Sequence, residues 1–148
     1  MPRSLSGSDI YNQNMLIIEK DMKIRTHRKA DPELVGKPLE LGEGWAKVEL
    51  LATERMAVDD RGLVHGAFTF AVADLAAMLA VNRENVVLAR AEIRFLRPVR
   101  VGDRMVAEAR VVERKDSHYR ILVKTTVEGR VVMEGTLFAV VPEKHVLE

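Results

Sequence analysis

The chain has 148 residues, a formal net charge of +1 and no cysteine. Its length and its 47% of hydrophobic residues predict a folded domain and exclude disorder as the dominant state. The balanced charge argues against a nucleic-acid partner bound by bulk electrostatics. The lack of cysteine excludes disulfides and thiolate chemistry and suits a cytoplasmic location. Because no apolar run reaches the roughly 20 residues that cross a bilayer, we expect no membrane association.

The N-terminal segment differs in composition from the rest of the chain. Residues 1–30 begin polar and rich in serine, and we interpret them as an extension, with 31–148 forming a single domain. The apolar patch Met15–Ile18 is expected to dock on the domain as a turn of helix. Since the extension contains neither two amphipathic helices nor a basic cluster, it is not predicted to bind DNA.

A short helix and a hairpin are predicted next. The run DPELVG predicts a helix with Asp31 as its N-cap, Pro32 at its first position and Gly36 at its end. Alternating apolar and polar residues then predict a strand over Trp45–Thr53, for which Pro38–Leu41 is the expected hairpin partner.

The longest apolar run, AFTFAVADLAAMLAV over Ala67–Val81, is too long for an ordinary strand, and its Ala, Leu and Met content favours a helix. A helix that is apolar on nearly all sides must be covered by a sheet, by a partner subunit or by both. Four strands without further helices are predicted after it: Val86–Leu96, Arg104–Glu113, Tyr119–Val127 and Val131–Val141. This order predicts an antiparallel α+β domain.

Three residues around the start of this helix point to chemistry. Asp74 is a carboxylate inside an apolar helix, which is costly if it is ionised and unpaired. It either caps or pairs with a neighbouring group, or it is kept for a reaction. His65 and Gly66 lie at the loop-to-helix transition, where free backbone N–H groups and the helix dipole favour developing negative charge. Alternatively, they form only a loop hydrogen bond and a tight turn.

The run GLVHGAFTFAVADLAAMLAV, followed by VLARAEIRFLRPVRVGD, resembles the hotdog-fold acyl-CoA thioesterases, particularly the phenylacetyl-CoA type with its His-Gly-Gly motif. The resemblance covers roughly residues 36–141. It implies a long central helix wrapped by a five- to six-stranded antiparallel sheet. It also implies homodimers or dimers of dimers, with active sites at the dimer interface, and an acyl-CoA substrate. No cofactor is expected beyond the coenzyme A of the substrate.

The resemblance also implies roles for individual residues. Asp74 is similar to the family's catalytic carboxylate, a nucleophile or a general base for water. Gly66 is similar to the glycine whose N–H polarises the thioester carbonyl, and His65 to the histidine that shapes this loop.

The chain departs from the family pattern at three positions. Asp59 stands where many members carry Asn, Ala67 replaces the second motif glycine, and Leu88 falls where some relatives have a Ser or Thr that orients water. Asp59 either takes over a catalytic role in place of that Asn or is a turn residue, and the turn is the favoured interpretation.

Substrate contacts are expected from Arg97 and Arg100, whose guanidinium groups suit the phosphates of coenzyme A, and from Phe68 in the acyl pocket. A solvated surface is the alternative for both arginines. The four histidines show no ligand spacing, so no metal site is predicted. The second candidate function is that of a non-catalytic acyl-CoA sensor, because hotdog domains also serve as effector modules of lipid-gene repressors.

Overall fold

The computed structural model describes residues 17–18 and 22–148. Within them, seven strands and two α-helices alternate with short loops. In chain order these are β1 (Ile17–Ile18), α1 (Pro32–Val35), β2 (Lys37–Gly42), β3 (Trp45–Leu51), a 3₁₀ turn (Glu54–Met56), α2 (Gly66–Val81), β4 (Val87–Phe95), β5 (Arg104–Lys115), β6 (His118–Val127) and β7 (Arg130–Val140).

All seven strands form one sheet in the order β1-β2-β3-β5-β6-β7-β4. The six strands from β2 to β7 pair in antiparallel fashion. With one long helix beside them, they confirm the predicted α+β architecture of a five- to six-stranded antiparallel sheet around a central helix.

The expectation of a helical turn over Met15–Ile18 is wrong for its second half. Ile17–Ile18 form β1, which pairs in parallel with Glu40 and Leu41 of β2. The outer edge of β2 offers unpaired backbone groups, and β-branched residues favour strands, so an added strand satisfies both preferences. The first half of the patch, residues 15–16, lies outside the described residues.

Helix α2 forms the centre of the core. It packs mainly against β3, β5 and β6, and ten of its sixteen residues are buried. The inward side chains of the strands meet it and are also buried, among them Leu41, Val48, Met105, Ile121 and Leu137. The predicted helix over 67–81 is confirmed, and the sheet supplies the cover that an all-apolar helix requires.

The outermost strand, β4, is more exposed than its alternation suggests. Ala89, Ala91 and Phe95 are exposed, although they share the apolar side of the sequence pattern. The reason is position, because β4 is the last strand of the sheet and α2 contacts it far less than it contacts β3 or β5. β4 also lies close against its neighbour β7 at Gly135, where a Cβ would clash with the Glu92 carbonyl oxygen.

The end of the extension lies against the end of α2. Asn82 has a left-handed backbone that ends the helix, and its side chain connects the helix end to the extension. Its Nδ2 donates to the Lys23 carbonyl at 2.6 Å, and its Oδ1 accepts from the Arg25 N–H at 2.8 Å. The domain boundary at residue 31 stays a prediction. Across the described residues, no helix combines the length and apolarity needed to span a membrane.

Candidate active site

The start of α2 is fixed by His65. Its side-chain Nδ1 accepts a hydrogen bond from the Ala67 N–H at 2.9 Å, which makes His65 the N-cap of the helix. Its own N–H donates to the Met56 carbonyl at 2.9 Å and ties the loop to the preceding 3₁₀ turn. Because Nδ1 is an acceptor, the neutral imidazole carries its proton on Nε2, which leaves a donor on an exposed side chain.

Gly66 is the first residue of α2. The next two N–H groups are occupied, that of Ala67 by the imidazole and that of Phe68 by the His65 carbonyl at 3.1 Å. Among the described residues, no acceptor is hydrogen-bonded to the Gly66 N–H. This donor lies at the positive end of the helix dipole and is available to a carbonyl oxygen.

Sequence reasoning missed Phe95, which borders this donor. A Cβ placed on Gly66 would lie 3.4 Å from a ring carbon of Phe95. The ring is 56% exposed, so it forms one wall beside the helix start without closing it. No signal in the sequence links the end of β4 to the start of α2.

Asp74 lies two turns further along α2. Its Oδ1 is buried and has no hydrogen-bond partner within the described part of the chain. Burial raises the pKa of this carboxyl to about 6. Neither a backbone cap nor an ion pair with an arginine is present among the described residues. A desolvated, unpartnered carboxylate is a candidate general base or nucleophile.

Asp59 is placed in the turn that precedes His65. Its Oδ1 accepts from the Arg61 N–H at 2.9 Å and from the Leu63 N–H at 3.1 Å, and Gly62 has a positive φ of 82°. The carboxylate therefore holds its own loop, as the favoured turn interpretation predicts.

The predicted phosphate-binding arginines lie on the loop beside the helix start. The Val64 N–H donates to the Val99 carbonyl, and the Val101 N–H donates to the Gly62 carbonyl, both at 2.9 Å. These bonds hold the loop that carries Arg97 and Arg100 against the loop that leads into His65. Both arginines are exposed, and neither forms a salt bridge with a described residue.

Phe68 is half-buried at the edge of the core, and its ring meets the His65 imidazole edge to face with centroids 6.4 Å apart. Leu88 is half-buried at the beginning of β4. Thr125, which sequence reasoning missed, is fully buried, and its hydroxyl donates to the Thr69 carbonyl of α2 at 3.2 Å. This hydrogen bond could have been predicted from the sequence, because Thr125 is a polar residue on the inward side of β6.

His65, Gly66, Phe68 and the arginine loop thus cluster at one end of α2, whereas Asp74 is separate from them. Eight residues of α-helix span about 12 Å, so Asp74 and Gly66 of one chain do not converge on a single carbonyl group. In the described ranges, no group of three or more metal-ligating side chains lies together.

A family model described as the thioesterase superfamily matches residues 61–136, the stretch that contains this cluster and Asp74. The chain belongs to the thioesterase superfamily. The hotdog architecture and the family that the sequence motifs suggested are confirmed.

Two solved structures extend the comparison. The crystal structure of the uncharacterized protein PH1136 from Pyrococcus horikoshii is 50% identical, with a TM-score of 0.85 over 86% of this chain and 98% of that chain. A mutant of the phenylacetic acid degradation protein PaaI from Thermus thermophilus is 30% identical, with a TM-score of 0.67 over 72% of this chain and 93% of that one.

Two curated relatives of this chain carry names other than thioesterase. The methylthioribose-1-phosphate isomerase of Aquifex aeolicus is 50% identical over 119 residues, which cover 80% of this chain and 26% of that protein. The transcription factor FapR of Shouchella clausii is 43% identical over 74 residues, which cover 50% of this chain and 39% of that protein. The chain therefore spans well under half the length of these two relatives.

Proposed function

We propose that the protein hydrolyses acyl-CoA thioesters and uses Asp74 as its catalytic carboxylate. The observation that carries this proposal is the half-buried Asp74 on the central helix of a thioesterase-superfamily chain, whose Oδ1 is buried and has no hydrogen-bond partner among the described residues. A group with a raised pKa near 6 is largely ionised at neutral pH and still basic enough to accept a proton.

The chemistry divides between two groups. The Gly66 N–H donates to the thioester carbonyl oxygen and stabilises the negative charge that develops when the carbonyl carbon is attacked. As a general base, Asp74 takes a proton from water, whose oxygen then bonds to that carbon. As a nucleophile, Asp74 attacks the carbon itself, and water hydrolyses the resulting anhydride. In either case the carbon–sulfur bond breaks and the coenzyme A thiolate leaves with a proton.

Two copies of the chain contribute to each site in this proposal. The separation of about 12 Å along α2 is too large for Gly66 and Asp74 of one helix to act on the same carbonyl. A carboxylate from the second copy removes this conflict, as the resemblance to dimeric hotdog enzymes implies. We therefore place the thioester between two copies, in a cytoplasmic homodimer or dimer of dimers that needs no cofactor besides the substrate's coenzyme A.

Arg97 and Arg100 are proposed to hold the phosphates of coenzyme A, and Phe68 to contact the acyl chain. Support comes from the loop hydrogen bonds that place both arginines beside the helix start. Neutralising both as Arg97→Gln and Arg100→Gln should raise KM for acyl-CoA and flatten its dependence on salt. Unchanged KM and salt dependence would remove both residues from substrate binding. Arg130→Gln, on the exposed β6–β7 hairpin, is the matched control.

The second candidate function is acyl-CoA binding without hydrolysis, which the likeness to FapR favours. A panel of acyl-CoA esters of different chain length, assayed for thiol release and for binding, distinguishes the two. Hydrolysis by the wild type that is lost in Asp74→Asn supports the enzyme. Tight binding of acyl-CoA without thiol release from any ester supports the sensor.

A further inference from the structure

Helix α2 leaves one narrow stripe of its surface partly uncovered. Four of its residues that are not buried follow the i, i+3, i+4, i+7 spacing of a single helix face, namely Ala67, Phe70, Ala71 and Asp74. Met78 and Val81 continue this stripe towards the end of the helix, and both are buried. The uncovered part is therefore confined to the first half of α2, and its middle lies at Phe70 and Ala71.

If a thioester lies between Gly66 of one copy and Asp74 of a second, as proposed above, symmetry determines how the two helices lie. A two-fold axis parallel to α2 moves no residue along the helix, so residues 66 and 74 stay about 12 Å apart in height. An axis perpendicular to α2 reverses the second helix and brings its Asp74 level with Gly66 when it passes residue 70. The middle of the uncovered stripe is at this same position, so the open face and the required register agree.

In this arrangement the end of the second copy's α2 extends past the thioester. Asn82 follows Asp74 by eight residues and lies about 12 Å beyond it, on the side where the first helix begins. Coenzyme A extends to this side as well, because Arg97 and Arg100 lie on the loop beside the helix start. Its pantetheine arm is about as long as four residues of extended chain, or about 14 Å. The phosphates of the substrate therefore reach the level of the second copy's Asn82.

A segment with two cationic side chains is attached to Asn82, and we call Met22–Thr26 the docked segment. The Asn82 Nδ2 donates to the Lys23 carbonyl at 2.6 Å, and its Oδ1 accepts from the Arg25 N–H at 2.8 Å. Ile24 packs against the core, whereas the side chains of Lys23 and Arg25 are exposed. Neither cation forms a salt bridge with a described residue. The backbone of the docked segment is thus held in place while two charges remain available to a ligand.

A hollow of about 540 Å³ lies beside Arg25, a volume in the range of small-molecule sites. His27, Asn85 and His145 also line it and offer hydrogen-bond donors, and Glu84 is the acidic residue of its lining. A carboxylate repels a phosphate, but it accepts hydrogen bonds from the hydroxyls of a ribose or the amino group of adenine. The hollow therefore suits the adenosine of coenzyme A, with the phosphates outside it at the exposed cations.

We propose that Lys23 and Arg25 of the copy that supplies Asp74 bind phosphate groups of the same acyl-CoA, whose adenosine lies in the hollow beside Arg25. This assignment rests on the proposed function, in which two copies share each thioester. Coenzyme A carries a diphosphate and a separate phosphate on its ribose, so the two residues act in addition to Arg97 and Arg100. Each site then takes its carbonyl donor from one copy, and its carboxylate and a second set of phosphate ligands from the other.

Lys23→Gln with Arg25→Gln tests the phosphate contacts. The substitutions keep the backbone groups that Asn82 holds, and both side chains are exposed, so the fold should persist. KM for acyl-CoA should rise about tenfold and depend less on salt, because charge-assisted hydrogen bonds to phosphate are lost. The matching acyl-pantetheine, which lacks the phosphates and the nucleotide, should be affected far less.

Arg110→Gln with Lys115→Gln, an exposed pair of the same charge on β5, is the matched control and should keep the wild-type KM for acyl-CoA. Wild-type KM in the double variant of the docked segment would overturn the proposal. An equal rise of KM for acyl-CoA and for acyl-pantetheine would do the same, because it would place the effect away from the phosphates.

Mixed dimers show which copy the docked segment serves. An Asp74→Asn chain and a Lys23→Gln, Arg25→Gln chain are co-expressed with different affinity tags, and dimers with one copy of each are purified. The site with a carboxylate takes it from the second chain, together with the neutralised segment, so KM should stay as high as in the double variant. A wild-type KM would show that the segment serves the Gly66 of its own copy and would overturn the proposal.

A binding measurement separates this proposal from the proposed hydrolysis. If the wild type released no thiol, the proposed hydrolysis would fail, but Kd for acyl-CoA would still report the phosphate contacts. Isothermal titration calorimetry should give a Kd about tenfold higher in the double variant of Lys23 and Arg25 than in the wild type. An unchanged Kd would overturn the proposal, whether or not the protein hydrolyses thioesters.

Discussion

The Nδ1 atom of His65 accepts a hydrogen bond from the backbone N–H of Ala67 at 2.9 Å, and this bond defines the first turn of the central helix. It also determines which donors remain. Since the Ala67 N–H is occupied, the N–H of Gly66 is left for a ligand. The replacement of the second motif glycine by alanine is thus compatible with the site, because the N–H of residue 67 serves the helix cap.

Replacing His65 by alanine should destabilise the protein, because the helix loses its cap. Removing an N-cap acceptor costs about 1 kcal/mol, which lowers Tm by about 2–4 °C in a chain of this size. His65→Asn keeps a capping oxygen and should melt close to the wild type. Thermal unfolding followed by circular dichroism checks both variants. Equal losses in the two would show that the cap is not the source of the effect.

Adding a methyl group at Gly66 should impair hydrolysis more than stability. Its backbone φ is not in the left-handed region, and the new Cβ would lie 3.4 Å from the Phe95 ring, which is exposed and can adjust. The methyl group occupies space beside the Gly66 N–H, the proposed donor to the thioester carbonyl, so we expect kcat/KM for acyl-CoA to fall at least tenfold. Ala67→Gly is the neighbouring control and should retain activity. Wild-type kcat/KM in Gly66→Ala would contradict the assigned oxyanion donor.

For Asp59 the expected effect is on the loop. Asp59→Asn retains the oxygen that accepts from the Arg61 and Leu63 N–H groups and should keep both Tm and kcat near the wild type. Asp59→Ala removes two hydrogen bonds and should lower Tm. Steady-state kinetics and thermal unfolding of the pair decide the question, since a large loss of kcat in the Asn variant would restore Asp59 to the chemistry.

Much of this fold was predictable because local patterns and tertiary structure agree. The apolar run over 67–81 could be buried only as a helix under a sheet, and the cap at Asp31 and the end at Gly36 follow from backbone preferences. The strands after the helix alternate clearly, so their ends differ from prediction by only a few residues.

Other features depend on contacts that the sequence does not encode locally. β1 exists because the edge of β2 is free, and the exposure of β4 follows from its place at the end of the sheet. The residues of the site likewise divide into those that the sequence reveals and those that only tertiary contacts bring together. Asp74 is conspicuous as a charge in an apolar helix, whereas the closeness of Phe95 to Gly66 depends on the position of β4 beside β7 in the folded sheet. The separation between Gly66 and Asp74 could be predicted, because eight residues of α-helix span about 12 Å.

Asp74 should make stability depend on pH in a defined direction. Burial raises its pKa from 3.8 to about 6 in the folded protein, so the folded state binds the proton more tightly than the unfolded state does. Stability conferred by the neutral carboxyl is complete below about pH 4 and is lost as pH rises to about 6. Asp74→Asn removes this penalty and should be more stable than the wild type at pH 7 by up to about 3 kcal/mol, but not at pH 4. Urea unfolding at both pH values measures the difference, and a difference independent of pH would contradict the assignment.

The catalytic role of Asp74 is tested most directly by the pH dependence of kcat/KM for acyl-CoA hydrolysis in the wild type and in Asp74→Asn. An ionised Asp74 predicts a wild-type rate that rises tenfold per pH unit below about 6 and levels off above it. The variant should lose activity by orders of magnitude and lose this acidic limb of the pH profile. His65→Asn, which removes the imidazole at the helix start, should keep the limb. Activity in Asp74→Asn equal to the wild type, or a limb that disappears with His65 and not with Asp74, would contradict the catalytic role of Asp74.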